Sequence, residues 1–537
     1  MSALASRCLW LAALLPALAL AQQRPDEAAL FGGDEEPALD AGVAAGRPDE
    51  ASLFGGDDAP TAPDAGLTPQ GRDLEQLLSG PLKSKFDTDE AVSDPLKLGG
   101  TLLIFGQGFF QEGRRFEEAS FSAPFVLDMY VDGRPNDRLR AYAVGRLQFD
   151  PTRPTGDGST TAAAPATGGL VGLTPATRTN PSVFLDQLWL RFDIARKVYL
   201  TIGRQKIRWG VSRIWYPTDF LNSQPRDALN PFDVRLGVNM VKVHVPVESL
   251  GWNFYAYGLL DAVNLTSAGM QLQQLGGALR GEFVLGPAEI GVGAIWQQGR
   301  RPRYGLDISS SLGPIDVYAE AAFRDARDFV LFRSPGDLTQ EDLLRRVGEI
   351  EAYRPEGLLV QVSGGLSWQF NYTDKNFAIL GVEYFYNPAG YTDVVGYQAK
   401  TFMPTVLGVT LDPIQNVPLY QGRHNVAVTL AAPGIPGFDW ITLALSNIVV
   451  LNDPSGLTRL DLIFRVLSFL NVQAFAGVLY GQTGGQLRFR LAPQTINDIA
   501  NLSDALQPGS GAEVRSALGP LRFPPLLQAG VLLRISI

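Results

Sequence analysis

LLQAGVLLRISI, Leu526 to Ile537, alternates without a break: Leu527, Ala529, Val531, Leu533, Ile535 and Ile537 fall on one side, and Gln528, Gly530, Leu532, Arg534 and Ser536 on the other. A period of two lays one apolar row along one face of a β-strand. A chain finishing on such a strand suits a barrel whose last strand closes against its first, which leaves no unpaired edge. The same pattern recurs upstream. Ile315, Val317, Ala319, Ala321 and Phe323 alternate with Asp316, Tyr318, Glu320, Ala322 and Arg324, and Leu460, Leu462, Phe464 and Val466 with Asp461, Ile463, Arg465 and Leu467. One face is oily and the other carries charge. In a soluble sandwich the oily face would pack on a second sheet, whereas in a membrane barrel it meets lipid and the polar face lines a lumen.

The start of the chain favours the membrane. Arg7 precedes an apolar run from Leu9 to Leu20, and Ala19-Leu20-Ala21 precedes Gln22, which reads as a secretory signal peptide over residues 1–21. The run is shorter than the roughly 20 residues a spanning helix needs. The single cysteine, Cys8, lies inside that signal, so the exported chain uses neither disulfides nor thiol chemistry.

The remainder divides by composition. From Gln22 to Pro95 there are 17 acidic and 5 basic residues, a net of −12, while the whole chain carries −10. Residues 22–95, poor in hydrophobic residues and rich in Ala, Pro, Gly and Asp, read as a disordered acidic tail, expected on the periplasmic side. Within it RPDEAALFGGDEE (24–36) is repeated as RPDEASLFGGDDA (47–59). Each copy has Pro at a first helical position, acids in the first turn, an apolar Leu-Phe pair and Gly-Gly where a helix would stop. The pair reads either as a duplicated spacer or as a bivalent docking peptide that gains avidity from its two copies. In the second case Pro25, Leu30 and Phe31, with Pro48, Leu53 and Phe54, would meet a periplasmic protein. Asp73 to Leu78 could add a short amphipathic helix.

Residues 96–537 hold about 18 candidate strands, or 16 if the hairpin near Arg300 is discounted, each near the 9 to 11 residues a tilted membrane strand needs. Their connections alternate between long and short. Gln111 to Phe121 is followed by Gly133 to Asn136, Pro151 to Asn180 by Asp193 to Arg196, and Arg208 to Val234 by Pro246 to Leu250. Ala262 to Gln274 precedes Gly286-Pro287, Gly299 to Pro302 precedes Gly313-Pro314, and Ala326 to Gly357 precedes Thr373 to Lys375. Pro388 to Tyr420 precedes Pro433 to Gly437, Asn452 to Gly456 precedes Ser468 to Asn471, and Gln482 to Pro525 leads into the last strand. Loop length sorted by parity is the habit of an outer-membrane barrel, with short periplasmic turns and longer extracellular loops. The fold expected is all-β, an antiparallel transmembrane β-barrel preceded by a disordered acidic tail, with both termini in the periplasm. Gln486 to Leu491 is expected to extend a strand above the membrane. Trp189, Tyr199, Trp209, Trp252, Tyr255, Tyr257, Trp296, Tyr384, Tyr386, Trp440 and Tyr480 are expected mainly as interface anchors, some of them as pore lining.

Two stretches carry a resemblance. LDQLWLRFDIARKVYLTIGRQKIRWGVSRIWYPTDFLN, Leu185 to Asn222, and GVEYFYNPAGY, Gly381 to Tyr391, resemble outer-membrane barrels of the porin type, including the alginate-export porins. In such proteins a hairpin end of the form GRQ-x-x-x-WG leads into a long loop. The resemblance implies outer-membrane lipid as surroundings, insertion by the barrel-assembly machinery, and a channel.

The faces opposite the apolar rows give the candidate lumen: Arg140, Arg146, Arg191, Arg280, Glu282, Asp316, Glu320, Arg324, Glu383, Asp461, Arg465 and Arg534. Arg or Lys facing lipid at the midplane costs roughly 2 to 4 kcal/mol, so these groups must face water or each other. They read either as an ion-pair lattice stiffening the wall or as the lining of a solute path with a slight preference for anions. Val198, Leu200 and Ile202 run in register with Arg204, Lys206 and Arg208. A bulge near Gly203 that turns the basic half inward accounts for this, and so does a basic half that rises above the bilayer. Turned inward, the three join Arg191 under a loop whose Trp215, Tyr216, Pro217 and Asp219 either constrict the lumen or cap its rim.

Catalysis finds little support. The only histidines, His244 and His424, have no nucleophile and orienting group placed beside them by sequence, and no cofactor fingerprint or paired metal ligands occur. The acidic tail argues against nucleic acid. The expected function is passive passage of small, anionic solutes through a porin-like channel. Alternatives are a polysaccharide-export pore, and a structural barrel anchoring an envelope machine through its tail.

Overall fold

The computed structural model describes residues 95–153, 180–222, 235–260 and 275–537, apart from Leu344, Lys375, Gly408, Thr410, Gln507, Pro508 and Ile537. The expected signal peptide, the expected acidic tail with both repeats and the Asp73–Leu78 segment lie outside the described residues, as do parts of three long loops.

The alternating segments form 18 antiparallel strands joined to their sequence neighbours. They are β1 (Leu96–Gln111), β2 (Phe125–Asn136), β3 (Leu139–Phe149), β4 (Ser182–Ile194), β5 (Val198–Gln205), β6 (Val238–Val247), β7 (Trp252–Leu259), β8 (Gly276–Leu285) and β9 (Ala288–Gln297). The second half comprises β10 (Arg303–Leu312), β11 (Ile315–Asp325), β12 (Leu358–Asn371), β13 (Phe377–Tyr386), β14 (His424–Ile435), β15 (Phe438–Val450), β16 (Ser455–Leu467), β17 (Leu470–Gly481) and β18 (Pro525–Ser536). The hairpin at Arg300 is real, with β9 and β10 in register from Ala288↔Ser310 to Ile295↔Arg303. β1 pairs with β2 on one edge and with β18 on the other, from Thr101↔Ser536 to Phe110↔Leu527, so the sheet closes on itself. Among the described residues no helix is long and apolar enough to cross a membrane.

Side-chain parity follows the sequence pattern. In β10 Leu306 is 42% exposed and Ile308 43%, while Asp307 between them is 2% exposed. The exposed row is the apolar one, the inverse of a soluble protein, and it forms the band a transmembrane barrel presents to lipid. The rings sort by parity as well. Trp252 and Trp440 lie outward near the short turns, and Trp296, Tyr384, Tyr386 and Tyr480 outward near the long loops, as two interfacial belts. Trp189, Tyr199, Tyr255 and Tyr257 point the other way, correcting their expected place in a girdle.

The tight turns fall where Gly and Pro mark them. Gly286 and Gly313 take φ of 63° and 66°, each followed by Pro, a pairing that suits a two-residue hairpin with a left-handed first position. The long loops carry three helices, α1 (Val394–Leu407), α2 (Pro493–Leu506) and α3 (Ser510–Leu518). Gln486–Leu491 is not a strand extension. It is bends and turns whose Leu487, Phe489 and Leu491 are buried, so the alternating apolar residues pack within the loops instead of on a sheet.

Candidate functional site

The lumen is built from the inward row of each strand and from one loop that enters it. Residues 206–222, between β5 and β6, fold inside the barrel against the wall of β7 to β13. Trp209, 1% exposed, meets Tyr257 of β7 at 5.6 Å and the Arg280 guanidinium of β8 at 5.6 Å. Farther along, the Thr218 hydroxyl donates to Glu320 of β11 at 2.6 Å. The indole of Trp215, fully buried, stacks on Phe385 of β13 at 5.7 Å and 13° and donates to the Leu419 carbonyl at 2.8 Å.

Glu383 holds the loop. Its carboxylate accepts the backbone N–H of Arg213 at 2.9 Å, of Ile214 at 3.2 Å and of Trp215 at 2.8 Å. It also accepts the hydroxyls of Tyr318 and Ser363, both at 3.0 Å. Every partner is a donor, an arrangement suited to an acceptor-only carboxylate. Three consecutive loop amides thus find their acceptor on the wall, where no backbone partner is available to them. The stretches around Leu185–Asn222 and Gly381–Tyr391, far apart in sequence, meet at this contact. Arg213 adds a longer ion pair to Asp316, 3.8 Å. Gly210, at φ 99°, passes so close to the wall that a Cβ would overlap the Glu320 carboxylate.

The other long loops fill in behind. Tyr420 packs edge-on against Phe385, and its hydroxyl accepts the N–H of Tyr216 at 2.9 Å. Ile414, Leu419 and Leu487 join Trp215 in one apolar cluster with Ala427, Ile448, Leu457 and Leu479 of the wall. Gln111 of β1 donates to the carbonyls of Pro520 and Phe523, and Arg488 pairs with Glu112, which ties the last loop to the first strand.

Of the expected lumen residues, Arg140, Arg146, Arg191, Arg280, Glu282, Asp316, Glu320, Arg324, Glu383, Asp461, Arg465 and Arg534 all have inward parity. Most are brought into pairs. Arg140 meets Asp132 at 2.8 Å, Arg146 meets Asp128 at 2.6 Å and Asp186 at 3.2 Å, and Arg280 joins Asp307 and Glu282, both at 2.8 Å. Asp461 takes Arg459 at 2.7 Å and Gln473 at 2.8 Å.

The basic run near Gly203 behaves differently from the expectation. β4 and β5 pair without interruption from Ile194↔Val198 to Leu188↔Arg204, so no bulge turns that strand. Arg204 keeps the outward parity of Ile202, opposite Leu188, and donates to the Leu185 carbonyl at 2.8 Å. The bulge is on β4, where the register with β3 passes from Val144↔Gln187 to Gly145↔Leu185 and leaves Asp186 as the extra residue. Both Asp186 and Gln187 are buried. Lys206, beyond the end of β5, turns in to Asp186 at 2.9 Å, and Arg208 lies over the Tyr216 ring at 5.3 Å. Asp186 was not legible, because one extra residue reverses parity. Asp307 was missed as well, although its alternation with Leu306 and Ile308 is a signal that marks it as inward.

The inward rings form a second feature. Tyr142 and Trp189 lie 5.3 Å apart, and Tyr199, His244 and Tyr255 follow at 5.8 and 4.5 Å. Between these rows run Arg140, whose guanidinium lies over Trp189 at 5.4 Å, and Arg191, over the same ring at 5.1 Å. His244 bonds Asn253 at 2.9 Å, and His424, on the outward face, bonds the Tyr384 hydroxyl at 2.6 Å.

The geometry is that of a transmembrane barrel with a loop folded into its lumen. No protein-family model and no curated protein matches the chain. Among solved structures, the outer membrane protein OpdK from Pseudomonas aeruginosa aligns at 9% identity and a TM-score of 0.44, covering 82% of this chain and 98% of that one. OccAB3 from Acinetobacter baumannii gives the same identity and score over 82% and 99%. A mutant of Rh. blastica porin aligns at 10% identity and a TM-score of 0.35, over 82% and 100%.

Proposed function

We propose that the chain is an outer-membrane channel for passive passage of small solutes, with a preference for anions. The observation that carries the reading is the loop 206–222, which lies along the inner wall, held by Glu383 and Glu320, and so narrows the lumen from within. A loop that merely capped the rim would not need acceptors deep in the wall. The reading puts the apolar band in outer-membrane lipid, assigns insertion to the barrel-assembly machinery, and sets both termini in the periplasm. Its test is single-channel conductance of the purified mature protein in planar bilayers under a salt gradient. Steady open steps with anion preference support it, and a silent, correctly folded barrel rejects it.

A second reading rests on the repeated PDEA-x-LFGG motif: the barrel anchors an envelope machine, with the two copies docking a periplasmic protein. Deleting residues 22–95 separates the two. Permeability kept while partners are lost favours the anchor. A polysaccharide-export pore remains the alternative within transport, supported by the resemblance around Leu185–Asn222 and Gly381–Tyr391.

A further inference from the structure

Arg303 and Arg324 are the lumen cations least accounted for by the wall. The β10–β11 ladder runs to Tyr304↔Phe323, and the next opposed positions are Arg303 and Arg324. Like charges directly opposite across a sheet destabilise it. Here both side chains are also buried, at 7% and 5% exposure. Neither makes an ion pair among the described residues. Arg303 donates to the Gln297 side chain at 2.6 Å and Arg324 to the Pro217 carbonyl at 3.2 Å, and the Nε of each has no hydrogen-bond partner among the described residues. The Phe220 ring of the inward loop lies against both guanidiniums, at 5.3 and 5.0 Å. Arg300 acts on both as a further cation, and among the described residues the opposing charges that act on both, Asp328 and Asp412, make no ion pair with either. Asp328 is itself paired with Arg301 at 2.9 Å, and the Asp412 side chain caps the N–H of Ile414 at 3.1 Å.

Two buried, facing guanidiniums without a carboxylate are unfavourable in isolation, because each charge is desolvated and repels the other. A planar fork of donors matches a carboxylate or phosphate oxygen pair, and an anion between the two would satisfy both. We infer that Arg303 and Arg324, with Arg300 beside them, form an oxyanion-binding site inside the long-loop end of the barrel, next to the inward loop. The site takes the carboxylate or phosphate group of a solute, and it rests on the channel reading only for the source of that ligand.

The experiment uses the mature full chain in detergent micelles and isothermal titration calorimetry, with inorganic phosphate and sodium acetate as probes at constant ionic strength. Saturable binding of either probe, weakened at least about tenfold in the Arg303→Gln/Arg324→Gln double variant, is the expected result. Binding of phosphate alone or acetate alone assigns the class. Without added anion the double variant should melt no lower than wild type, since repulsion has been removed. If the double variant fails to fold, Arg324→Gln alone, which keeps the Arg303–Gln297 bond, must still weaken binding. No saturable binding to folded wild type, or binding unchanged in the variants, overturns the site. Binding without conductance leaves the site standing and rejects the channel, and conductance without binding does the reverse.

Discussion

Replacing Glu383 by Gln tests whether the inward loop is held by the wall or merely rests on it. One carboxylate oxygen takes the amides of Arg213 and Ile214 and the Tyr318 hydroxyl, and the other the amides of Ile214 and Trp215 and the Ser363 hydroxyl. In the amide, one of these oxygens becomes a donor. Whichever way the side chain lies, the N–H of Arg213 or of Trp215 then faces an NH2 group, and the charge that strengthened the other bonds is gone. Hydrogen bonds to a charged group contribute roughly 1.5–3 kcal/mol each, so losing two removes about 3–6 kcal/mol from the loop's attachment. At 1.4 kcal/mol per tenfold, amide hydrogen exchange at residues 213–215 should accelerate by about a hundredfold or more. The β12–β13–β14 ladder does not depend on the side chain, so the global melting temperature should change much less. In bilayers the same variant should show larger and noisier conductance. Unchanged exchange at 213–215 in an intact barrel would falsify the claim that Glu383 anchors the loop.

Gly210, the lipid-facing row and Lys400 give three further expected outcomes. Gly210→Ala forces a left-handed backbone onto a residue with a Cβ, at roughly 1–2 kcal/mol, and drives that atom into Glu320. It should shift the loop and alter conductance without lowering barrel yield, and unaltered conductance would count against the loop's placement. Leu306→Arg puts a charge on the lipid face and should cost roughly 2–4 kcal/mol in folding titrations into lipid, while Ser309→Arg, on the inward row, should cost far less. Equal costs would contradict the assigned parity. Lys400, on α1 in the loop between β13 and β14, is buried without a hydrogen-bond partner among the described residues, and burial pulls its ammonium down to about 7 from 10.5. Between those values the unfolded loop holds a proton the folded one lacks, so stability rises with pH across that window, and below about 7 the full penalty stands. Lys400→Met should therefore stabilise the loop most at pH 6 and least near pH 10, read as resistance to proteolysis. A gain independent of pH would show that Lys400 is not buried as a cation.

The barrel was legible because its two signals are local. Alternation fixes which residues face lipid, and the Gly-Pro and Pro-Gly pairs at 286–287, 313–314 and 436–437 fix where the chain reverses. The lumen was legible only as far as parity holds. Glu383 and Glu320 are visible as inward acids, yet nothing in the strand tells that their partners come from residues 210–218, because that contact is set by how a loop folds back. Parity also fails where a strand gains one residue, as at Asp186, or ends early, as β5 does at Gln205. Arg204, still on the strand, keeps its parity and faces out, while Lys206 reaches in from the loop. Gln486–Leu491 misleads for a related reason: alternation implies a strand only where a neighbouring edge is free, and here the apolar residues found a helix-bearing loop instead.

The charge a solute would meet is set less by the number of lumen residues than by which of them are already engaged. Glu282 and Asp461 are tied to arginines of their own strands, and Asp316, Glu320 and Glu383 to the inward loop. Arg140, Arg146 and Arg280 are likewise paired with carboxylates. Within these pairs the opposite charges compensate each other, and their fields largely cancel within a few ångströms. Among the described residues Arg303 and Arg324 near the long loops make no ion pair, and neither does Arg465, exposed near the short-turn end of β16. An anion would therefore find uncompensated cations at the two ends of the path and a neutralised wall between. On that argument Arg465→Glu and Arg324→Gln should each reduce anion preference in reversal-potential measurements, whereas exchanging the partners of the Arg459–Asp461 pair should not. An equal loss from all three would mean that the lattice, and not its unpaired ends, sets the selectivity.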